Sequence, residues 1–152
     1  MLSTGSERNK VSVPLIRRDG SVLTLSMLAF VLLVACRPDA STPQGTAERF
    51  LDAHYVRIDL REALPFTSGV AHQKVEDELA LVEGQPIDAG TRKPTVHYRL
   101  LETHPDGDDA VRYLYLASIN VEDAGSFERR WMVTVRRESE GWRVTNYQEL
   151  GG

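Results

Sequence analysis

The chain after residue 42 begins with a stretch whose apolar positions follow a helical pattern. Apolar side chains recur there every three or four residues and charged ones stand between them, which places one apolar stripe along a helix. The stripe consists of Ala47, Phe50, Leu51, His54 and Ile58. We therefore predict a first helix over about Thr46 to Ile58.

Two further helices are predicted before the pattern changes. Asp59 with Glu62 has the form of an N-cap followed by an acid, and Pro65 is expected to end the short helix that they open. Thr67 and Ser68 offer a cap for a third helix, which Gly84 ends. The apolar stripe of this third helix consists of Ala71, Val75, Leu79 and Val82, and the face that we assign to solvent consists of Gln73, Lys74, Glu76, Asp77 and Glu78.

The second half of the chain has the two-residue alternation of strands. Four segments rich in β-branched and aromatic residues are separated by clusters of turn-forming residues. The predicted strands are Thr95–Thr103, Ala110–Val121, Phe127–Arg137 and Trp142–Glu149. Helices followed by strands predict an α+β fold, in which N-terminal helices pack on a curved four-stranded antiparallel sheet.

Pairing across the turns assigns each strand residue to one face of the sheet, because successive side chains alternate. The face toward the helices is apolar and aromatic, and its only acid is Glu102 at a strand end. This face carries Val96, Tyr98, Leu100, Val111, Tyr113, Tyr115, Ala117, Ile119, Trp131, Val133, Val135, Trp142 and Val144. The outer face carries Arg99, Arg112, Leu114, Leu116, Arg130, Met132, Thr134, Arg136, Arg143 and Thr145.

An apolar run near the N-terminus has the character of a signal peptide. Residues 22–36 follow the basic pair Arg17 and Arg18 and close on the only cysteine, Cys36. A basic region, an apolar core and a small residue before the cleavage site are the features of such a peptide. The run of about 15 residues is shorter than the ~20 that a membrane-spanning helix needs, so a permanent transmembrane anchor is the poorer interpretation.

Leu33, Val34, Ala35 and Cys36 resemble, position by position, the lipobox of bacterial lipoproteins. The resemblance implies that residues 1–35 are removed as a lipoprotein signal peptide and that Cys36 carries acyl chains. Two or more chains anchor a protein stably, since each buried methylene adds about 0.8 kcal/mol. In Gram-negative lipoproteins an Asp after the cysteine retains the protein in the inner membrane, so Arg37 implies the outer membrane, facing the periplasm.

Composition limits the partners of the remaining chain. Residues 36–45 are rich in Pro, Ser and Thr and predict a flexible tether, which leaves residues 46–152 for a single domain. The whole chain has a formal net charge of −4, and residues 36–152, with 14 basic and 20 acidic side chains, have a net charge of −6, which argues against nucleic acid as a partner. With Cys36 committed to lipid, no thiol remains for a disulfide, so packing alone must stabilise the domain.

Three helices over a curved antiparallel sheet resemble the cone fold shared by nuclear transport factor 2 and ketosteroid isomerase. The stretches 46–55, 59–64 and 141–146 are also similar to small bacterial lipoproteins of unknown function. The resemblance covers most of residues 43–149. Because its residues are largely core and turn positions, it implies a fold rather than an activity.

The sequence offers little catalytic chemistry. Enzymes with the cone fold place a carboxylate on an inward strand position beside a tyrosine. The resemblance gives Tyr55 the role of that tyrosine and places His54 or Asp59 near the mouth of the pocket. The inward strand positions, however, are apolar or aromatic except for Glu102, so no suitable carboxylate is present there. The four histidines lack a spacing suited to zinc, and residues 106–109 have the composition of a turn rather than a calcium loop. We therefore expect a non-enzymatic protein without cofactor or metal.

Two regions are candidates for binding. The first is an aromatic pocket at the wide end of the cone, whose buried hydroxyl and indole groups need partners, although core packing explains the same residues. Its candidate residues are His54, Tyr55, Tyr98, Tyr113, Tyr115, Trp131 and Trp142. The second is a row of Arg112, Arg136 and Arg143 on the outer face, which suits an anionic lipid or an acidic envelope protein unless acids from the turns neutralise it.

Two functions follow as hypotheses. The first is a non-enzymatic, membrane-anchored envelope lipoprotein that binds or scaffolds an unknown partner through the open sheet face or the cone mouth. The alternative is a small-molecule carrier, or a cone-fold isomerase or hydrolase, that uses the aromatic interior. Leu114, Leu116 and Met132 on the outer face would also suit a homodimer formed through the sheet.

Overall fold

The computed structural model describes residues 38–84 and 93–151 of the chain. The predicted signal peptide, the lipobox and Cys36 lie outside the described residues. The helical half contains three α-helices, joined by one π-helical and one 3₁₀ turn. They are α1 (Pro43–Leu51) with the π turn (Asp52–Val56), α2 (Leu60–Ala63) with the 3₁₀ turn (Leu64–Phe66), and α3 (Gly69–Val82).

The second half forms one antiparallel sheet, as predicted. Its four strands are paired in chain order, so that each is joined to the next by a hairpin. They are β1 (Thr95–Pro105), β2 (Ala110–Val121), β3 (Gly125–Glu138) and β4 (Gly141–Leu150). Each observed strand contains the predicted one, which confirms the α+β class and the meander.

The core lies between the helices and one face of the sheet. Tyr115, Val133 and Val144 from the strands are completely buried against Phe50 and Val75 from the helices. Every apolar or aromatic strand residue predicted to face inward belongs to this core or packs against it. The apolar alternation therefore predicted the inner face of the sheet correctly, except where a bulge intervenes.

A bulge in β1 changes the side to which Glu102 belongs. The register shifts between Leu100 and Glu102, so that Glu102 pairs with Leu114 of the outer face. One extra residue in a strand reverses the faces of all residues beyond it. Glu102 is exposed, and its prediction as an inward acid is wrong.

A second bulge, in β4, adds a core residue that alternation alone does not predict. Pairing shifts between Thr134 and Val135 of β3, so that Tyr147 lies opposite Val133. Tyr147 is consequently buried, whereas unbroken alternation from Val144 would have placed it on the outer face.

The first helix begins earlier and ends differently from the prediction. The Thr42 hydroxyl accepts a hydrogen bond from Gly45 N at 3.0 Å, and Pro43 takes the first helical position, which it suits. Arg49 Nε donates to the Pro38 carbonyl at 2.7 Å. Of the residues that we predicted as the end of a flexible tether, 38–42 therefore lie against α1 and 43–45 form its first turn. Beyond Leu51 the helix widens into the π turn.

The other helix ends agree in part with the prediction. Asp59 caps α2 as expected, because its carboxylate accepts from Glu62 N at 2.9 Å. Pro65 does not end the helical backbone but lies within the 3₁₀ turn. Ser68 precedes α3 but caps nothing, since its hydroxyl donates to Glu138 at 2.6 Å. Val82, predicted in the apolar stripe of α3, is 47 % exposed.

Removal of the α2 cap should measurably destabilise the domain. Asp59→Ala leaves the Glu62 amide without its partner, and we expect a loss of about 1 kcal/mol in the free energy of unfolding, measured with urea. Asp77→Ala on the exposed face of α3 is the control and should change stability by less than about 0.5 kcal/mol. Equal losses in the two variants would contradict a capping role for Asp59.

Candidate functional site

A cavity of about 390 Å³ lies among the π turn, α3 and the sheet. Its volume is within the ~300–1,000 Å³ of small-molecule sites. Three polar or amphipathic side chains interrupt an otherwise apolar wall: His54, Tyr55 and Glu78. The rest of the wall is formed by Ile58, Leu60, Leu81, Val82, Pro94, Val96, Ile119 and Trp131.

Glu78 holds the polar side of the cavity together. Its Oε2 lies 2.6 Å from His54 Nε2, and its Oε1 accepts a hydrogen bond from the Tyr147 hydroxyl at 2.7 Å. The three side chains come from α3, the π turn and β4. A carboxylate with two such donors makes charge-assisted hydrogen bonds, which are shorter and stronger than neutral ones.

The prediction that Glu78 and Lys74 belong to the solvent face of α3 is wrong. The Lys74 ammonium donates to Asn146 Oδ1 at 3.0 Å and to the Tyr147 carbonyl at 2.7 Å, both on β4. Glu78 is one helical turn further along the same side of α3. Lys74 and Glu78 thus lie next to the apolar stripe of α3. Their polar groups bond to partners within the protein, not only to water as their residue types led us to expect.

His54 is neutral at neutral pH and is oriented by Glu78. Burial of the imidazole lowers its pKa below the usual value, and the Glu78 carboxylate opposes that effect without cancelling it. The proton of the neutral ring lies on Nε2, because that nitrogen faces the carboxylate. Nδ1 is then a hydrogen-bond acceptor, and it is buried without a partner among the described residues.

An unusual backbone positions this edge of the cavity. His54 and Tyr55 lie on the π turn, where Arg57 N donates to the Asp52 carbonyl at 2.8 Å, five residues back. Ile58 follows with a φ of 55°, a left-handed conformation that is costly for a β-branched residue. Single π turns and strained residues both occur preferentially at functional sites.

Tyr55 and Trp131 form the aromatic wall. Their rings are stacked with centroids 4.1 Å apart and planes 15° apart. Burial raises the pKa of Tyr55, and the negative charge of Glu78 raises it further, so that the phenol stays protonated. Trp131 Nε1 is a buried donor that has no partner within the described parts of the chain.

The structure brings together three of the seven residues predicted for the aromatic pocket: His54, Tyr55 and Trp131. The other four, Tyr98, Tyr113, Tyr115 and Trp142, do not line the cavity, and for them the pocket prediction is wrong. Tyr98 instead donates to Asp52 Oδ1 at 2.8 Å and contacts the Glu48 carbonyl at 3.2 Å. Asp59, predicted near the mouth, caps α2.

The predicted row of arginines is only partly present. Arg136 and Arg143 pair directly across β3 and β4, but Arg112 lies opposite Thr134, so its place in the row is wrong. Like charges in direct opposition are unfavourable, and acids from the turns offset them. The acidic partners of Arg112, Arg136 and Arg143 are Asp106 at 3.8 Å, Asp109 at 3.5 Å and Glu140 at 3.5 Å.

Residues 38–84 and 93–151 contain neither a metal-binding cluster nor a membrane-spanning helix. No group of three or more His, Cys, Asp or Glu side chains is arranged to hold a metal ion in these stretches. None of the helices described here is both long and apolar enough to cross a membrane.

The buried neutral state of His54 should make stability depend on pH. Its pKa is lower in the folded than in the unfolded chain, so the unfolded chain binds the proton first as the pH falls through about 6.5. We expect the free energy of unfolding, measured with urea, to fall between pH 7.5 and 5.5. His54→Gln, which does not titrate, should lose less stability over that range, and His97→Gln on the exposed side of β1 should behave as the parent chain. An undiminished loss in His54→Gln would contradict this origin.

Comparisons with known proteins identify the fold. The chain matches no protein-family model and no curated protein sequence. Among solved structures it is similar to a putative calcium/calmodulin-dependent protein kinase type II association domain from Thiobacillus denitrificans, with a TM-score of 0.54 and 12% identity over 74% of this chain and 96% of that one. An NTF2-like protein of unknown function from Shewanella oneidensis has a TM-score of 0.50 and 10% identity over 71% and 98% of the two chains.

The VirB8 protein of Agrobacterium tumefaciens is similar to the same extent, with a TM-score of 0.50 and 11% identity over 70% of this chain and 88% of that one. Identities this low establish a shared architecture and carry no activity from one protein to another. Helices packed on a curved, four-stranded antiparallel sheet, with these structural neighbours, make the described domain an α+β cone fold of the NTF2-like type.

Proposed function

We propose that this chain is a lipid-anchored protein of the bacterial envelope whose cone-fold domain binds a small, mostly apolar molecule without transforming it. In this proposal the domain supplies the binding site, which is the cavity beside the π turn. The anchor is the acylated Cys36 that the lipobox predicts. The cavity is the observation that carries the proposal. Its presence favours binding of a small molecule at the mouth of the cone over docking of a partner on the outer face of the sheet.

The shape and chemistry of the cavity support a ligand site. Eight of its lining residues have apolar or aromatic side chains, and only a few polar groups lie among them. Small-molecule pockets usually have this composition. The rim is also apolar, since Leu81 is 75% exposed and Ile58 is 37% exposed. Apolar residues at an entrance that face water are stabilised when a ligand covers them.

The titration of the lining groups supports binding rather than catalysis. Groups that transfer protons usually have pKa values near the working pH. Burial moves the pKa of His54 down from its usual value and that of Tyr55 up, so both move away from neutrality. Glu78 accepts hydrogen bonds on both carboxylate oxygens from the protein itself. These groups therefore position a ligand better than they react with it.

A binding experiment tests the proposed site. The purified full chain, made with Cys36→Ser so that no acyl chain competes, is titrated with the neutral fluorophore N-phenyl-1-naphthylamine. We expect one probe per chain. Ile119→Trp projects into the cavity and should weaken binding about tenfold or more, which corresponds to ~1.4 kcal/mol. Ser118→Trp, the exposed neighbour on the opposite face of β2, is the matched control and should change affinity less than about twofold.

Thermal unfolding of both variants accompanies the titration, so that loss of binding is separated from loss of fold. Binding that persists unchanged in a folded Ile119→Trp variant would contradict this location for the site, as would a parent chain that binds no probe.

The anchor has its own test. The gene is expressed in a Gram-negative host with radiolabelled palmitate, and the parent chain is expected to incorporate label while Cys36→Ala does not. Since Cys36 is the only cysteine, the variant leaves no other thiol for acylation. Ser41→Ala is the control and should incorporate label as the parent does. An unlabelled parent chain, or a leader that persists uncut, would overturn the lipoprotein assignment.

A further inference from the structure

The segment that precedes α1 folds back along that helix. Thr42 is the N-cap of α1, yet the Pro38 carbonyl accepts a hydrogen bond from Arg49 Nε at 2.7 Å. Arg49 follows the cap by seven positions, which corresponds to about 10 Å along a helix. The Thr46 hydroxyl lies 3.0 Å from the Ala40 carbonyl and holds the middle of the segment. Traced backward from Thr42, the chain therefore runs toward the π turn.

The place where this segment ends limits the position of the proposed anchor. Pro38 lies in a small cleft together with Arg57, which follows the π turn, and Glu62 of α2. Cys36 precedes Pro38 by two positions. Because each residue of an extended chain spans at most ~3.6 Å, Cys36 is within about 7 Å of Pro38. Acyl chains on Cys36 therefore hold this side of the domain close to the membrane.

A groove connects the cleft at Pro38 to the cavity. Arg57 lines both the cleft and the groove. The groove and the cavity share the side chains of Ile58, Leu60 and Val82. The three depressions adjoin, so the cavity lies on the same side of the domain as the end of the segment. The outer face of the sheet points away from this side, since the helices pack on the inner face.

The groove carries exposed positive charge. Arg57, Arg61 and Lys93 line it together with one acid, Asp59, whose carboxylate accepts the Glu62 amide. The Arg57 guanidinium is paired with Glu62 at 2.8 Å. Arg61 and Lys93 are exposed cations of the same groove. Each cation near an anionic membrane strengthens binding about fivefold.

Exposed apolar side chains stand beside these cations. Leu81 is 75% exposed and Val82 is 47% exposed at the end of α3, and Ile58 is 37% exposed after the π turn. All three line the cavity. Basic residues next to exposed apolar ones are typical of surfaces that lie in a membrane interface, where the apolar groups leave water and the cations meet anionic headgroups.

We infer that an anionic phospholipid bilayer covers this side of the domain, so that the anchor at Cys36 holds the groove and the entrance of the cavity against the membrane. Arg61 and Lys93 bind headgroup phosphates, and the apolar rim enters the interface. The inference rests on the proposed function, because it needs the acylated cysteine. The ligand then enters the cavity from the bilayer side.

The orientation of the domain on vesicles tests the inference. The chain is expressed in a Gram-negative host, and the acylated protein, verified by mass spectrometry, is reconstituted into vesicles of phosphatidylethanolamine and phosphatidylglycerol. Acylation leaves an introduced cysteine as the single free thiol for a fluorescent donor, and the lipid headgroups carry the energy acceptor. The donor is attached through Ala80→Cys, beside the rim, or through Ser118→Cys, on the outer face; both positions are exposed.

Energy transfer should be several-fold stronger from position 80 than from position 118. The two positions lie on different sides of a domain whose diameter is roughly 30 Å. A domain that tumbles freely on its anchor gives equal transfer from both positions.

Two pairs of substitutions, each made with either label, test the role of the cations. Arg61→Gln with Lys93→Gln should reduce the difference between the labels to less than about half, since two attractive charges are lost. Arg112→Gln with Arg136→Gln removes the same charge from the outer face and is the matched control, which should leave the difference unchanged. Exchange of phosphatidylglycerol for phosphatidylcholine should act as the first pair does. Thermal unfolding verifies that the variants are folded.

The outcomes separate the inference from the proposed function. Equal transfer from both labels, or stronger transfer from position 118, in a verified acylated protein overturns the inference and leaves the lipoprotein assignment intact. An orientation that survives both Arg61→Gln with Lys93→Gln and neutral vesicles overturns the role of the headgroup charge. An orientation found in host membranes but absent from protein-free vesicles assigns the surface to a protein and overturns the lipid occupant. If the chain is not acylated, the anchor fails and the inference fails with it.

Discussion

The carboxylate of Glu78 links three parts of the fold at the edge of the cavity. It joins α3 to the π turn through His54 and to β4 through Tyr147. The side chain of Glu78 is 39% exposed, so its charge stays partly hydrated while it accepts both hydrogen bonds. A charge at that depth avoids most of the desolvation cost of a buried ion and still orients two buried partners. Without it, an imidazole and a phenol would remain unpaired inside an aromatic cluster.

The same aromatic cluster divides the interior into a packed part and an open part. Phe50 contacts both His54 and Tyr147, with ring centroids 5.2 Å and 4.9 Å away. On the far side of Trp131, Tyr98 meets Tyr115 edge to face, and these rings fill the interior. Trp131 therefore stands between a solid core and the cavity. Within the described residues, Tyr98 of β1 and Tyr115 of β2 therefore belong to the packed part and do not line the cavity.

Elements that are determined by neighbouring residues in the sequence were predictable. The positions of the strands follow from the alternation of apolar and polar residues, and the α2 cap follows from the spacing of Asp59 and Glu62. The π turn and the two bulges are different, since each inserts a residue that tertiary packing decides. Residues beyond a bulge change faces, and this is why Glu102 was predicted on the wrong side and why Tyr147 was not predicted to face inward.

The candidate site was predictable only in part, and for a related reason. His54, Tyr55 and Trp131 were found because aromatic residues at inward positions are visible in the pattern. Glu78 was missed because a glutamate on an amphipathic helix is ordinarily solvated, and its partner Tyr147 faces inward only through the β4 bulge. No signal within α3 itself indicates that this acid, rather than Glu76 two residues earlier, meets two donors.

Ile58 couples the stability of the chain to the form of the cavity. Its backbone has a φ of 55°, which glycine adopts without strain, yet its side chain forms part of the cavity wall. Glycine would relax the main chain and enlarge the space, whereas a larger side chain would narrow that space and keep the strain. Selection at this position cannot tune fit and robustness separately, so a gain in one is exchanged for a loss in the other.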